Sequence, residues 1–248
     1  MKKWILAILI CSFLCMSVFL NRKPVSLPKL YREVSPAVVW IGAEYSDSNF
    51  LNASWEEITE RNENIPITVK WQGTGFLVSK NGLIATAGHV VQDTDSFEVM
   101  FSDGTRAKAD FVHMENMENS DVGFIRLRSK HRKNRPYLKI DTKVEPGESV
   151  IILGHPWGLN KGIAITQGII ALPNRSELFF GTKLVLHTDA ASYPGNSGSA
   201  VIDMDGEVVG ILIGGRHGAD NFSICTTGKI LKLALVKCKA FEAMENAK

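Results

Sequence analysis

The sequence predicts an all-β protein of antiparallel strands, preceded by an apolar N-terminal segment and ending in one helix. Short apolar runs of strand length recur through most of the 248 residues. Turn residues separate the runs, including Asn81-Gly82, Asp103-Gly104 and Asp205-Gly206. No helical period lies between the runs, which favours antiparallel barrels or a sandwich over alternating strands and helices.

The N-terminal segment has lysines at positions 2 and 3 and then runs from Trp4 to Leu20 without a charge. This length is at the short limit for a membrane-spanning helix, and Cys15-Met16-Ser17 is a poor cleavage site. We predict a signal anchor at residues 1–22, with a cleaved signal peptide as the alternative. The rest of the chain then lies outside the cytoplasm, in the periplasm or the extracellular space, and is secreted if the segment is cleaved.

Residues 23–33 are predicted to be a tether, because Pro24 and Pro28 punctuate them before one helical turn and a first strand near Ala37 to Gly42. The polar residues 43–64 are predicted to be a surface loop. Further strands are expected at FEVMF, KADFVHM, DVGFIRLR, SVIILG, GIAITQGII, KLVLHT, SAVID and EVVGILIG. A helical period appears only at Gly228 to Phe241.

The basic stretch from Arg128 to Lys139 lies midway between two sets of strands. A run of charge is usually a solvated surface, so we interpret it as a connector and not as a polyanion site. The predicted domains are residues 34–130 and residues 131–248.

Composition excludes several classes of function. The 28 basic and 26 acidic residues give a net charge of +2, which does not indicate a nucleic-acid partner. The histidines show no metal-ligand spacing and there is no C-x-x-C, so we predict neither a metal nor a cofactor. Cys11 and Cys15 lie in the apolar segment, whereas Cys225 and Cys238 are either buried thiols or one disulfide formed in an oxidising compartment.

The stretch TDAASYPGNSGSAVID interrupts the strand pattern around a single serine, Ser197. Gly195, Asn196 and Gly198 let the backbone bend sharply, so that main-chain N–H groups can converge beside the hydroxyl as an anion-binding site. A serine becomes a nucleophile only when a base removes its proton and donors stabilise the oxyanion. By itself, PGNSG is equally compatible with a plain turn.

A base and its orienting partner are available elsewhere in the chain. His89 ends the run TAGHVV, where its small neighbours leave room for an imidazole. Asp121 stands just before the strand-like VGFIRLR, where its carboxylate can point inward and hold the imidazole. Each residue alone has a structural interpretation, as a packed histidine or as a cap at the start of a strand.

The order of these residues and their strand context resemble the trypsin-fold (chymotrypsin-like) serine proteases, most closely the HtrA/Deg branch. Residues 30 to 235 carry the resemblance, and several segments in the right order are more specific than any single motif. The segments similar to that branch are EVSPAVVWI, GTGFLVSKNGLIATAGHVV, SDVGFIRL, LGHPWGLNKGIAITQGII and TDAASYPGNSGSAVID.

The resemblance implies two six-stranded antiparallel β-barrels with the active site in the cleft between them. It implies a serine endopeptidase in which Ser197 attacks the peptide carbonyl, His89 is the general base and Asp121 orients His89. The oxyanion hole would use N–H groups of Gly195 and Ser197, with Asn196 as a further candidate. The implied substrates are exposed or unfolded polypeptides, and the branch often forms trimers.

The resemblance also implies a substrate-binding set. Ala191, six residues before Ser197, would lie at the floor of the S1 pocket, where it cannot pair with a basic P1 side chain. The pocket strand would be Ile211, Leu212, Ile213 and Gly214, which pairs with an extended substrate. The apolar Ile213 stands where many relatives have a serine or threonine near the aspartate. The branch usually carries PDZ domains, and this chain is expected to lack one.

Two other functions were compared with this prediction. An α/β-hydrolase would need G-x-S-x-G and the order Ser, acid, His, whereas this chain has Gly195-Asn196-Ser197-Gly198-Ser199 and the order His, Asp, Ser. The second alternative is a catalytically silent, membrane-tethered module with the same fold that binds peptides or acts as a chaperone. Labelling of Ser197 by a fluorophosphonate separates the two.

Overall fold

The computed structural model describes residues 26–43, 72–92, 94, 96–115, 120–132, 135–158, 162–175, 184–215 and 222–245. The predicted anchor or signal segment, nearly all of the polar loop after Ala43, and most of the stretch NRSELFFGTK lie outside these residues. Within the described ranges, no helix has both the length and the apolar character needed to cross a membrane.

The first half of the chain closes into an antiparallel barrel of six strands in the order β1-β2-β3-β6-β5-β4. A short helix α2, Gly88–Val91, follows β3 directly. The strands are β1 Val38–Ala43, β2 Gln72–Leu77, β3 Leu83–Ala87, β4 Ser96–Phe101, β5 Arg106–Met114 and β6 Val122–Leu127.

The second half closes into another antiparallel barrel in the order β10-β11-β12-β9-β8-β7. The chain continues from its last strand into helix α3, Gly228–Glu245. The strands are β7 Ser149–Gly154, β8 Ala164–Arg175, β9 Val185–Thr188, β10 Ala200–Asp203, β11 Val208–Gly215 and β12 Ser223–Thr227. The predicted pair of six-stranded barrels with a C-terminal helix is therefore confirmed.

Strand β12 was not expected from the sequence. Its residues, SICTT, are all buried, but three of the five are small polar side chains, so neither an apolar run nor an alternation marks the strand. The predicted turn at Asn81-Gly82 joins β2 and β3 as a hairpin, but only Gly82 has a positive φ, of 79°. The turn is therefore longer than the two-residue hairpin that both residues could form.

Most of the predicted tether is folded. Helix α1 spans Leu27–Val34 and packs Leu30 and Val34 into the core. Pro28 lies in its first turn, where a missing N–H costs no hydrogen bond. The Tyr31 hydroxyl donates to the Ile163 carbonyl at 3.1 Å, which joins α1 to the second half of the chain. The prediction of a tether with one helical turn underestimated this eight-residue helix, whose apolar side chains recur at helical spacing.

The largest core cluster includes side chains from both barrels. Phe76 and Phe124 of the first barrel and Ile151 and Ile202 of the second belong to one continuous set of buried contacts. A separate cluster around Val150, within the second barrel, fills the space on the other side of β7. The barrels therefore share apolar packing at the cleft between them.

The basic stretch after β6 does connect the barrels. The Leu138 N–H donates to the Leu77 carbonyl of the first barrel at 2.9 Å, and Ile140 bridges to Val208 of the second. Arg128 pairs with Asp110 at 2.9 Å, and both side chains are about half exposed. Arg135 lies over the Phe101 ring and Arg132 donates to the Leu127 carbonyl, so these charges make local surface contacts, as in a solvated connector.

Candidate active site

His89 lies in helix α2, immediately after β3 ends at Ala87. Its side chain is 24% exposed, so one edge of the ring reaches solvent. Gly88 makes this placement possible, because a Cβ there would lie 3.0 Å from the Oδ1 atom of Asp121. The small residues seen in the sequence before His89 therefore make room for a carboxylate as well as for the imidazole.

Asp121 holds His89 with both of its oxygens. The His89 main-chain N–H donates to Oδ1 at 2.9 Å, and Nδ1 lies 2.8 Å from Oδ2. The carboxylate is buried, with 5% side-chain exposure, so the pair is shielded from water on the Asp121 side. This arrangement fixes the orientation of the ring and leaves Nε2 as the nitrogen free to act as a base.

The backbone at Asp121 adopts an uncommon conformation. Its φ is 46°, in the left-handed region that costs non-glycine residues energy, although aspartate tolerates it better than most. The preceding carbonyl, of Ser120, accepts a hydrogen bond from the Thr226 hydroxyl at 2.6 Å. Because Thr226 belongs to β12 of the second barrel, both barrels contribute to the position of Asp121. Among the described residues, no group other than His89 donates to its carboxylate, so Ile213 gives no second hydrogen bond.

The loop around Ser197 bends as the glycines predicted. Gly195 and Gly198 have φ values of 92° and 87°, which favour glycine. The loop lies against the first barrel, because the Thr74 N–H donates to the Ser197 carbonyl at 2.8 Å. A Cβ at Gly198 would lie 3.0 Å from the nitrogen of Ala87, two residues before His89. The structure thus brings the serine loop and the histidine segment together.

Two of the three predicted oxyanion donors have an N–H group that is free to bind an oxyanion. In the described chain, the N–H groups of Gly195 and Ser197 have no hydrogen-bond acceptor. The Asn196 N–H instead donates to the Tyr193 carbonyl at 3.0 Å, closing the turn. The prediction that Asn196 is a third donor is therefore wrong in this conformation. The Ser197 hydroxyl, on a half-buried residue, is not hydrogen-bonded to the His89 ring.

The predicted pocket strand is only partly available to a substrate. Ile211 pairs with Ala200 on one side and with Thr226 on the other. The Leu212 carbonyl accepts from the Gly198 N–H at 2.7 Å, and its own N–H donates to Ser199. The main chain at Ile211 and Leu212 is therefore used within the barrel, and these two residues were wrongly predicted to pair with substrate.

The strand has a bulge between Leu212 and Gly214, where the regular pairing with β12 shifts. Ile213 lies at the bulge with its side chain buried, and Gly214 is half-buried. The extra residue of a bulge, here Ile213, is left unpaired. Gly214 pairs with Ile224 of β12, but the pairing of β11 with β10 ends at Ile211, so the other edge of Ile213 and Gly214 has no strand partner among the described residues. Of the four residues predicted to pair with a substrate, Ile213 and Gly214 therefore remain available.

The region near Ala191 is lined by small neutral side chains. The Ala191 carbonyl accepts from the Thr166 hydroxyl at 2.7 Å, and Ala191 itself is half-buried. The Ser223 hydroxyl lies 2.7 Å from both the Ala190 carbonyl and the Ser192 hydroxyl. A Cβ at Gly215 would lie 3.7 Å from the Ser192 hydroxyl, so Gly215 faces the same region.

Sequence reasoning missed Thr74, which is fully buried in β2. Its hydroxyl donates to the Gly195 carbonyl at 3.0 Å and accepts from the His155 N–H at 2.9 Å. The sequence signal was the flanking glycines, Gly73 and Gly75, since a Cβ at Gly73 would lie 2.9 Å from the Ser197 carbonyl. Two glycines in a central strand indicate a close approach of another backbone. Among the described residues, no cluster of side chains suits a metal ion.

Comparison with known proteins places this geometry in a family. The model of the trypsin-like peptidase domain matches residues 73–211. The chain belongs to the trypsin-like peptidase domain family. The match begins at the glycine before Thr74 and ends on β11, so it includes His89, Asp121 and Ser197.

Two relatives have the names of serine proteases. The chain is 35% identical over 153 residues to a probable periplasmic serine endoprotease DegP-like from Chlamydia pneumoniae, covering 59% of this chain and 30% of that protein. It is 34% identical over 143 residues to serine protease HTRA1 from Xenopus laevis, covering 56% of this chain and 30% of that one. The chain thus spans about a third of the length of these relatives.

Solved structures share the trypsin-like fold. A serine endoprotease from Yersinia pestis superposes with a TM-score of 0.68 at 23% identity, over 88% of this chain and 68% of that chain. The HtrA-type protease AlgW with tripeptide gives a TM-score of 0.65 at 24% identity, over 85% of this chain and 62% of that chain. At this level of identity the likeness shows the fold.

Proposed function

We propose that this chain is a serine endopeptidase that hydrolyses polypeptides through His89, Asp121 and Ser197. The observation that carries the proposal is that both oxygens of the Asp121 carboxylate bind His89, beside a loop that bends at two glycines around Ser197. The contact between Nδ1 and Asp121 orients the ring and stabilises its charged form, as a general base requires. The similarity to serine endoproteases supports the same assignment.

The proposed reaction proceeds through an acyl-enzyme. Nε2 of His89 takes the proton of Ser197 as Oγ forms a bond to the substrate carbonyl carbon. The carbonyl π electrons move to its oxygen, and the N–H groups of Gly195 and Ser197 bind that negative oxygen. The protonated His89 then gives its proton to the leaving amine as the C–N bond breaks. Water, activated by the same imidazole, hydrolyses the ester and restores Ser197.

In this proposal the hydrogen bond between Ser197 and His89 forms in the substrate complex. Catalytic hydrogen bonds are often long or misaligned before substrate binds. A substrate strand pairing near Ile213 and Gly214 would exclude water from the Ser197 hydroxyl and leave Nε2 as its nearest acceptor. Exclusion of water strengthens electrostatic interactions in the cleft.

The proposed P1 preference is for small to medium apolar side chains. Ala191, Ser192 and Gly215 place no charge where a P1 lysine or arginine would need one. The exposed carboxylate of Asp189 is engaged with the Ile169 N–H at 2.6 Å. A library of peptides should show cleavage after alanine, valine or similar residues. Strict cleavage after arginine would refute this assignment.

The proposed location is outside the cytoplasm, in line with the periplasmic assignment in the name of the Chlamydia relative. The signal anchor at residues 1–22 stays a prediction for a segment outside the described residues. A trimer also stays a prediction, which light scattering of the purified full-length chain tests.

The experiment for the proposed function combines turnover with active-site labelling. Wild type should cleave casein and react with a fluorophosphonate at Ser197, whereas Ser197→Ala should do neither. Loss of the nucleophile should lower kcat by about 10⁶-fold, because the three residues act as one unit. The melting temperature of Ser197→Ala should match wild type, since the side chain only loses a hydroxyl that makes no hydrogen bond in the described structure.

A second candidate is a catalytically silent peptide-binding module, favoured by the missing hydrogen bond between Ser197 and His89. That candidate predicts peptide binding without labelling of wild type by the fluorophosphonate. Casein cleavage that persists in Ser197→Ala would contradict both the endopeptidase role of Ser197 and the silent module.

A further inference from the structure

We infer that Thr74 is a positioning residue for the oxyanion site, acting on Ser197 and Gly195 from the opposite barrel. The inference rests on the proposed function and adds to it a residue that touches neither substrate nor the reacting atoms. It assigns to one buried threonine the task of holding the two peptide groups on which the oxyanion donors depend.

Thr74 donates hydrogen bonds to two carbonyl groups of the serine loop. Its hydroxyl donates to the Gly195 carbonyl at 3.0 Å, and its main-chain N–H donates to the Ser197 carbonyl at 2.8 Å. These are the same residues whose N–H groups are the candidate oxyanion donors. The two carbonyls bracket the peptide group that joins Asn196 to Ser197, so fixing both limits the rotation of the Ser197 N–H.

Gly195 is where this restraint has the largest effect. With a φ of 92° and no side chain, its backbone rotates at lower energetic cost than that of a residue with a side chain. Rotation there would turn its neighbouring peptide groups and spoil the convergence of donors on one point. In the described structure, no side chain other than that of Thr74 donates to a carbonyl of residues 195–198.

Thr74 is itself held in place on every polar side. Its hydroxyl accepts the His155 N–H at 2.9 Å, and because a hydroxyl has one proton, that proton is directed to Gly195. Its carbonyl accepts the Thr86 hydroxyl at 2.6 Å. Thr86 lies three residues before His89 on β3, so one buried network ties the oxyanion loop to the segment that carries the base.

The alternative is that Thr74 only stabilises the fold, and the two roles differ in what they change. Loss of a purely structural hydrogen bond lowers the melting temperature and leaves the folded enzyme with normal kinetics. Loss of a positioning contact lowers kcat with little change in KM, because donors aimed at the oxyanion act in the transition state. The affinity for a peptidyl boronate, which forms a tetrahedral anion on the serine, should fall with kcat.

The test compares Thr74→Val and Thr74→Ser in the full-length chain. Valine keeps the shape and the main-chain N–H but removes the hydroxyl, and we expect kcat to fall about 10- to 100-fold with KM changed less than about twofold. This is smaller than the ~10²–10³-fold cost of deleting an oxyanion donor, because the donors themselves remain. Serine restores the hydroxyl and should return kcat and boronate affinity to within a few-fold of wild type.

Ile84→Val is the matched control, since Ile84 is fully buried in the same barrel and pairs with Leu77 and Ile125, which lie outside the site. It should lower the melting temperature without changing kcat. If Thr74→Val behaves like this control, Thr74 is structural and the inference is overturned. If valine prevents folding, Thr74→Ala is judged by the same criteria. If wild type shows neither turnover nor labelling, the proposed function and this inference both fail. If wild type is active and the Thr74 variants have normal kcat, only this inference fails.

Discussion

Gly198 shows how one residue sets both the backbone bend and the contact between barrels. Its φ of 87° favours glycine, and a Cβ there would overlap the Thr74 carbonyl and the Thr86 hydroxyl. Gly147 has the same φ of 87°, but nothing lies within 4 Å of the position of its Cβ. Comparing the two glycines therefore separates the energetic cost of a positive φ from the cost of placing a methyl group against near neighbours.

We predict that Gly147→Ala lowers the free energy of unfolding by about 1–2 kcal/mol, the usual cost of a left-handed non-glycine residue. Gly198→Ala should lose a further ~1–3 kcal/mol, because the methyl group must displace buried neighbours. Urea denaturation followed by fluorescence measures both values. Equal losses in the two variants would show that the serine loop is not packed against β2 and β3 as described.

At this scale the sequence predicted His89, Asp121 and Ser197 because each stands beside a local signal: small residues, a strand start, or glycines in a bend. It failed for Asn196, whose N–H is used in the turn, since a turn type is not readable from residue identity alone. It also failed for Thr74, whose partners in the serine loop are more than a hundred residues away and depend on how the barrels meet.

Helix α3 is attached to the first barrel by charged side chains as well as by its apolar face. Nε and the terminal nitrogen of Arg126 on β6 donate to the Glu242 carboxylate at 2.7 Å and 2.6 Å. The two side chains are only 11% and 23% exposed. Two residues further along the chain, Arg128 pairs with Asp110 with both side chains about half exposed.

We predict that Glu242→Gln lowers the free energy of unfolding by about 1–3 kcal/mol, because it leaves a mostly buried guanidinium without its charge partner. Asp110→Asn should cost less than about 1 kcal/mol, as exposed pairs do. Denaturation at low and high salt checks the difference, since salt should weaken only the exposed pair. Equal costs would mean that α3 is not fixed to the barrel through Arg126.

The same helix carries a pH-dependent contact at Glu115. Burial acts to raise the pKa of Glu115, but hydrogen bonds from Lys237 at 2.8 Å and with His113 at 3.1 Å outweigh it and lower the pKa from its usual 4.5. A carboxylate with a depressed pKa stabilises the folded state above its unfolded pKa, and this stabilisation is lost as the pH falls through the folded value.

We therefore predict that the stability of wild type falls below about pH 4.5 more steeply than that of Glu115→Gln, which cannot titrate. The difference between the two proteins should be constant above that pH and shrink as the pH is lowered. Melting temperatures across an acid series measure it. Parallel curves at all pH values would mean that Glu115 makes no charge contact with α3.

Strands and helices could be predicted from the sequence where apolar residues recur at a regular spacing. Most strands of both barrels and helix α3 follow from runs of apolar residues or from helical spacing. Strand β12 lacked such a run because its small polar side chains are buried through hydrogen bonds, as with the Ser223 and Thr226 hydroxyls. Helix α1 was underestimated because Pro24 and Pro28 suggested a tether, although Pro28 occupies a position that helices accept.

At the scale of the whole molecule, the shared core predicts that the barrels unfold together. The largest cluster joins Phe76 of the first barrel to Ile151 of the second, and α3 adds Leu231 and Cys238 to the same cluster. When one apolar core serves both barrels, unfolding either barrel exposes the other, which favours a single cooperative transition. The sequence could not show this, because strand patterns reveal which face is buried but not what covers it.

Two buried thiols offer a direct measure of that cooperativity. Cys225 and Cys238 are both free and buried, Cys225 in the cluster inside the second barrel and Cys238 in the shared core. Burial raises the pKa of Cys238 to about 12 and that of Cys225 still further, so neither thiol reacts while it remains buried. Reaction with iodoacetamide should therefore require opening of the structure.

We predict that both thiols are labelled at rates that give one opening free energy, equal to the global free energy of unfolding from urea denaturation. Peptide mass spectrometry after timed labelling resolves Cys225 from Cys238. Glu242→Gln should speed labelling of both thiols by the same factor, because it lowers the free energy of the one unfolding transition that exposes both. Faster labelling of Cys238 alone would instead show that α3 detaches from an otherwise folded pair of barrels, and the shared core would then not bind the molecule into one cooperative unit.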